Sequence, residues 1–327
     1  MTGRRGGGFA RRLCIVLTVR RLALASVVAN SAIVVTGGAV RLTASGLGCP
    51  TWPRCTETSY TPTAEYAVHG VIEFGNRLLT FVLLAVVVAL LVAVWRVRPV
   101  RPGWRRLAVL GVLGIPAQAL LGGITVLTGL NPWTVMGHFL VSTGLIALAV
   151  VLHARIRQDG TSSTVGVPLP LRRLGAGLLV LVGSTLVAGT VVTGSGPHSG
   201  DPEAGRTGLD PESVSQVHAD LVFLLVGVTA AFYVALRAMG APRPATLAMG
   251  VLLLVELGQG ALGFAQYFTD LPVLLVGLHL AGACLITVTA VQAVLALQPR
   301  RSQEAPAFPS PASQRPMSSA GNGFENR

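Results

Sequence analysis

The chain contains no lysine: all 25 of its basic residues are arginine. It is also poor in charge (12%) and in aromatic residues (6%), with only four cysteines in 327 residues. So little charge beside 51% hydrophobic residues and a mean hydropathy of +0.65 excludes a soluble globular protein, which could not hide that much apolar surface. No G-x-G-x-x-G follows a strand-like run, so nothing in the chain is built to bind nicotinamide or flavin. Any redox chemistry needs an electron donor from elsewhere.

What the chain does have is apolar runs. Eight of them, at about 22–40, 67–95, 107–129, 134–153, 174–194, 214–236, 245–265 and 272–297, approach the roughly 20 residues that cross a bilayer. The fold class expected is an all-α integral membrane protein of eight transmembrane helices in two pseudo-repeated four-helix bundles. Eight spans put both termini on one side, and arginine decides which. Twenty-one arginines fall before the first span, in the even-numbered loops or in the tail, whereas only Arg41, Arg54 and Arg206 fall in the opposite loops. The positive-inside rule then makes both termini cytoplasmic. The +12 net charge is a topology signal rather than a nucleic-acid patch, and the partners expected are membrane lipids, with no nucleic acid. The divisions read are a cytoplasmic N-terminus (1–21), an N-terminal half (22–153), a cytoplasmic linker (154–173), a C-terminal half (174–297) and a disordered cytoplasmic tail (298–327). No cleaved signal peptide is expected, because no small-residue cleavage site follows a short apolar core.

The two halves repeat one another. Gln118-Ala-Leu-Leu-Gly122 stands 20 residues before His138, and Gln259-Gly-Ala-Leu-Gly263 stands 20 residues before His279. Upstream, Asn76 precedes His138 by 62 residues and His218 precedes His279 by 61. Asn76, His138, His218 and His279 each follow an outer loop by one to two turns, roughly 6–15 Å below the outer interface. Histidines at one depth on alternate apolar helices are how membrane proteins hold heme. A helix–helix hydrogen bond is the blander reading for any one of them. His153 reads as interfacial and His198 as a solvated loop residue.

On span two, His69, Glu73 and Asn76 share a stripe within roughly 60° of arc, with Arg77 beside Glu73. A carboxylate there faces either a partner or a functional cavity, so Glu73 is either an ion-pair partner of Arg77 or the wall of a reaction pocket. The roles of Asp220 and Glu256 stay open. Cys49 and Cys55 share an outer loop that faces an oxidising compartment, which favours a disulfide over a metal site. Cys14 and Cys284 read as inert packing. The glycines of the spans, Gly122-Gly123, Gly258, Gly260 and Gly263, admit either close helix approach or a flat macrocycle.

The stretch Gly37-Gly38-Ala-Val-Arg41-Leu-Thr43-Ala-Ser45-Gly-Leu-Gly-Cys49-Pro-Thr-Trp52-Pro-Arg-Cys55 closely resembles the first outer loop of heme A synthases. Ile72-Glu73-Phe74-Gly75-Asn76-Arg77-Leu78 is similar to that family's acidic motif on span two. The resemblance covers about residues 20–297. It implies a bacterial plasma-membrane oxidoreductase that converts heme O to heme A for terminal oxidase assembly, by successive hydroxylation of a ring methyl to a formyl group. It further implies His218 and His279 as axial ligands of a heme b cofactor, His138 as the ligand to the iron of the substrate heme O, Glu73 as catalytic, and Cys49–Cys55 as the outer disulfide. His69, Asn76, Arg77 and Arg41 fall near the substrate-heme pocket, the arginines where propionates could meet guanidinium groups. Heme O synthase, oxidase assembly factors and an unidentified electron donor are the partners implied.

The chain departs from the family where Asn76 stands in place of the usual histidine, and where residues 195–213 lack the cysteine pair some members carry. Three arrangements are open for the N-terminal iron: five-coordination by His138, recruitment of His69, or a water held by Asn76. Two other classes use the same features, a di-heme electron-transfer protein of cytochrome b type and, less readily, a transporter with duplicated halves.

Overall fold

A computed structural model describes residues 4–159 and 166–299, with side chains from residue 15. Residues 1–3, the side chains of residues 4–14 (that of Cys14 among them), part of the 154–173 linker and nearly all of the 298–327 tail lie outside the described residues. Among those described there are eight long helices and no strand: α1 (Arg4–Leu42), α2 (Ala67–Arg96), α3 (Pro102–Leu127), α4 (Pro132–Gln158), α5 (Leu169–Ser195), α6 (Pro211–Ala238), α7 (Arg243–Phe268) and α8 (Val273–Ala296). Each is long and apolar enough to cross a membrane. Phe81, Val180 and Leu254 are 68%, 70% and 70% exposed, a surface that needs an apolar solvent.

Proline and glycine punctuate the helices. Proline occupies the first turn of α3, α4, α5, α6 and α7, where its missing N–H removes nothing from the ladder. Two connections are copies. Leu130 and Leu271 both take positive φ (56° and 57°), and each N–H closes a 2.8 Å bond to the carbonyl five residues back, Thr125 and Gln266. This is the 6→1 bond of a Schellman closure, with Gly129 and Asp270 as its left-handed residues (φ 61° and 59°) and a leucine following at equivalent places in α3–α4 and α7–α8.

The helices close into two four-membered rings. In the first, α1 packs on α2, α2 on α3, α3 on α4 and α4 back on α1; the second runs in the same way through α5, α6, α7 and α8. The rings meet where α8 lies against α1 and α4, and where α4 touches α5. Gly38 of α1 lies against Leu280 of α8, and Gly277 of α8 against Leu42 of α1. Such small residues let helices approach closely in lipid, where dispersion rather than water exclusion drives association.

The packed apolar clusters are concentrated toward the end that carries the even-numbered, arginine-rich connections. One joins Val19, Ala23, Leu90, Val94, Trp104 and Leu152 in the first ring. Another joins Leu178, Phe232, Leu236, Met249 and Leu297 in the second, and a third around Ile146, Val150, Cys284 and Val291 spans both. Toward the opposite end, which carries the loops 43–63, 128–131, 196–210 and 269–272, the interior is lined by histidine and glycine instead.

Candidate functional site

Each ring places a histidine or its counterpart on the second helix of each helical hairpin, and each of these faces a glycine on the first. A Cβ added at Gly122 would lie 3.1 Å from His138 Cε1, at Gly189 3.0 Å from His218 Cε1, and at Gly263 3.5 Å from His279 Cε1. At Gly37 it would lie 3.7 Å from Asn76 Nδ2. The four hairpins therefore share one construction, a head group laid flat against a bare helix backbone. Gly37 and Gly189 were invisible to sequence reasoning, because the α1–α2 and α5–α6 connections differ in length. The α3–α4 and α7–α8 pairs were legible through their equal spacing.

The three imidazoles carry the donor chemistry of ligands. Nδ1 of His138, His218 and His279 is buried without a hydrogen bond of full geometry, although His218 keeps a looser contact with the Thr185 backbone. Imidazole nitrogen is a common protein ligand of heme iron, and a ring bound through Nε2 would still need an acceptor for its Nδ1 proton. His218 and His279 lie near enough to interact electrostatically. In the first ring, Gln118 donates to the His138 carbonyl at 2.9 Å and to Ser142 Oγ, which pins α3 to the helix turn that bears His138. The equivalent Gln259 packs instead on the bare backbone of Gly282.

Asn76 differs in chemistry as well as in reach. Its Oδ1 accepts from Thr36 Oγ1 at 2.8 Å. His69 is held elsewhere, its Nδ1 at 2.9 Å from Ser45 Oγ in the loop.

Glu73 and Arg77 bind the loop. Glu73 is 5% exposed; its Oε2 accepts from Cys49 N at 2.7 Å and its Oε1 from Arg77 Nη2 at 2.6 Å and Nε at 3.1 Å. Arg77 also donates from Nη2 to the Cys49 carbonyl at 2.8 Å. Its Nη1 reaches the carbonyls of Thr51 at 3.0 Å and Arg54 at 3.1 Å. All five guanidinium protons are thereby engaged, so Arg77 has no donor left for a propionate. Of the two alternatives in the sequence, the ion pair is present, extended into a clamp on the loop. It grips a loop closed by the Cys49–Cys55 disulfide, whose S–S distance is 2.01 Å. The same loop lays the Trp52 ring on Gly123, the residue after the glycine that faces His138.

Arg41 also turns to backbone, donating to the carbonyls of His198 at 2.6 Å and Thr193 at 2.9 Å. It ties α1 of the first ring to α5 and the 196–210 loop of the second. His198 was expected to be solvated; its Nε2 is 2.9 Å from the Leu271 carbonyl and the residue is half-buried, because that loop folds back over the α7–α8 turn. Asp220 is exposed and accepts from Gln216 at 2.8 Å. Glu256 is buried (2%), with one oxygen accepting from Thr229 at 3.0 Å. Cys284 is buried between the rings.

A family model described as cytochrome oxidase assembly protein, COX15-CtaA, matches residues 20–197, more than half of the chain. The chain is 36% identical over 143 residues to a heme A synthase of Bacillus pumilus, covering 42% of this chain and 45% of the relative. It is 34% identical over 125 residues to one from Halalkalibacterium halodurans, covering 38% and 41%. A third, from Listeria welshimeri, is 34% identical over 122 residues, covering 37% and 40%. The chain thus matches these curated relatives over a little under half of their length.

Proposed function

We propose, given that this chain belongs to the COX15-CtaA family of cytochrome oxidase assembly proteins, that it oxidises a ring methyl of heme O to the formyl group of heme A in a bacterial plasma membrane. The observation that carries this reading is the four-fold seat: three half-buried imidazoles and one half-buried amide, each set against a glycine at the loop end of its ring. A bis-histidine set in one ring and a single histidine in the other supports two different jobs for two hemes.

In this reading His218 and His279 hold a heme b, and His138 holds the iron of the substrate heme. A closed bis-histidine iron supplies electron transfer, and an iron with one protein ligand supplies an exchangeable face for oxygen chemistry. The chain's own residues do the rest. Gln118 fixes the backbone at His138, so the imidazole is presented from a braced turn. The Glu73–Arg77 clamp keeps the disulfide loop and Trp52 in place beside that imidazole, which keeps bulk water from the pocket of the first ring. Glu73, the catalytic candidate, stands with both oxygens held, able to orient the water released when the twice-hydroxylated methyl, a geminal diol, collapses to the formyl. Heme O synthase fits as the supplier of substrate and an external electron donor as the source of reducing equivalents. Both termini are assigned to the cytoplasm by the arginine count.

The test is chromatography of hemes extracted from cells with no other heme A synthase that express this chain. Heme A is expected from the wild type. Heme O alone, from protein that is folded and carries heme, would reduce the reading to a di-heme electron-transfer protein.

A further inference from the structure

The two rings differ by a matched pair of residues. In the second, Gly189 follows Ala188 and faces His218; in the first, Gly37 follows Thr36 and faces Asn76. Where the head group is imidazole, the neighbouring position has no hydroxyl. Where it is an amide, the neighbouring position supplies one, and that hydroxyl donates to Asn76 Oδ1 at 2.8 Å. The same hydroxyl leans on the Ile33 carbonyl at 3.1 Å, the longer of its two contacts.

An amide whose oxygen is held in this way presents its NH2 in the other direction. Nδ2 lies beside Gly37, where the ring atom Cε1 of His218 lies beside Gly189. No hydrogen bond from Nδ2 is made among the described residues, and Asn76 is only half-buried. Covalent reach adds to this: Nε2 of a histidine lies one bond beyond the place where an asparagine side chain ends. An amide in this seat falls short of an iron that an imidazole would bind, and its oxygen, the better ligand atom, already has a partner.

We propose that Asn76 is a hydrogen-bond donor to a water or diatomic ligand on the face of the N-terminal heme iron opposite His138, and that Thr36 sets its orientation. This rests on the reading that His138 holds a heme, and it assigns Asn76 a role on the reacting side of that heme. The chemistry recognised is a small, polarisable acceptor at the iron. An N–H stabilises negative charge on its outer atom, whereas a second imidazole would exclude it.

The experiment uses the full chain loaded with heme and reduced, with carbon monoxide as the probe. The bis-histidine site takes no carbon monoxide, so the signal belongs to the first ring. Asn76→Leu is expected to raise the C–O stretching frequency and to speed carbon monoxide release roughly three- to tenfold, the range for one lost hydrogen bond. Thr36→Val should shift the frequency in the same direction by freeing the amide to turn. Asn76→His should convert the site to low spin and block carbon monoxide. An intact bis-histidine spectrum serves as the folding control, and Asn76→Ala replaces any variant that fails it.

An unchanged frequency in Asn76→Leu overturns the proposal. So does a lowered one, which would mean that the carbonyl rather than the N–H faces the ligand. A wild-type protein whose His138-dependent heme takes no carbon monoxide overturns it too, while leaving the two-heme reading intact. If His138→Ala keeps full heme content and carbon monoxide binding, the parent reading itself is wrong, and this proposal falls with it.

Discussion

At Gly122, Gly189 and Gly263 the facing ring sets how much room a methyl would have, and the margins differ. At 3.0 and 3.1 Å from Cε1 a methyl is too close, whereas at 3.5 Å it makes an ordinary contact. Gly189→Ala and Gly122→Ala are therefore expected to displace their imidazoles, and Gly263→Ala to be tolerated. Overpacking of this kind costs roughly 1–3 kcal/mol, about a tenfold or greater loss of heme affinity. Heme content per protein, measured by pyridine hemochrome, checks the order, and Gly258→Ala, which faces open space, is the control. His218→Ala and His279→Ala should each abolish the bis-histidine EPR signal; full retention in both would remove the ligand assignment.

Among the elements, the loop between α1 and α2 is held by its own turns and, through Glu73 and Arg77, by α2. Removing the guanidinium in Arg77→Ala takes away five donors and leaves Glu73 buried without its partner, a loss of about 3–5 kcal/mol for a buried pair. The Cys49–Cys55 disulfide should then be reduced faster by dithiothreitol, and amide exchange across 48–55 should rise, while the helices stay protected. At the start of α6, Asp210 caps the helix by accepting from the Ser213 N–H and hydroxyl at 2.8 and 2.6 Å. Those bonds hold its carboxyl below the usual range. A depressed carboxyl adds stability that is present above its unfolded value and lost as pH falls through the folded one. Exchange in the first turn of α6, corrected for intrinsic rate, should therefore rise on acidification, and Asp210→Ala should show the faster rate already at neutral pH.

The sequence was most legible where geometry is local and repeated. Gln118 and Gln259, Gly122 and Gly263, and Leu130 and Leu271 keep one register with His138 and His279, because each lies on a hairpin with a short turn. The pairing of Arg77 with Glu73 was legible from their i, i+4 spacing, but the loop partners of Arg77 and Arg41 were not. Both arginines reach backbone carbonyls, which any residue supplies, so nothing in the side chains of the 43–63 and 196–210 loops advertises them. Thr36 was missed for a related reason: its partner is 40 residues away, across a loop of irregular length.

For the molecule as a whole, the two-ring arrangement separates what the variants should do. Glu73→Ala and His138→Ala touch only the first ring, so both are expected to keep the b-type spectrum of the second while heme O or a hydroxylated intermediate replaces heme A in the extract. Normal heme A from Glu73→Ala would leave Glu73 as a partner of Arg77 and of the loop alone.

The tie made by Arg41 has a kinetic meaning. Electron tunnelling slows exponentially with separation, so two redox centres on bodies that hinge apart would exchange electrons at a rate set by the hinge. Arg41 bonds α1 of one ring to the 196–210 loop and the α5 end of the other, and Gly46 N–H adds a 2.8 Å bond to the Gly200 carbonyl. His198, in that same loop, is pinned in turn to the α7–α8 turn. With one heme proposed in each ring, these bonds brace the two rings against one another at their loop end. They would hold the separation of the two proposed hemes constant while electrons pass between them.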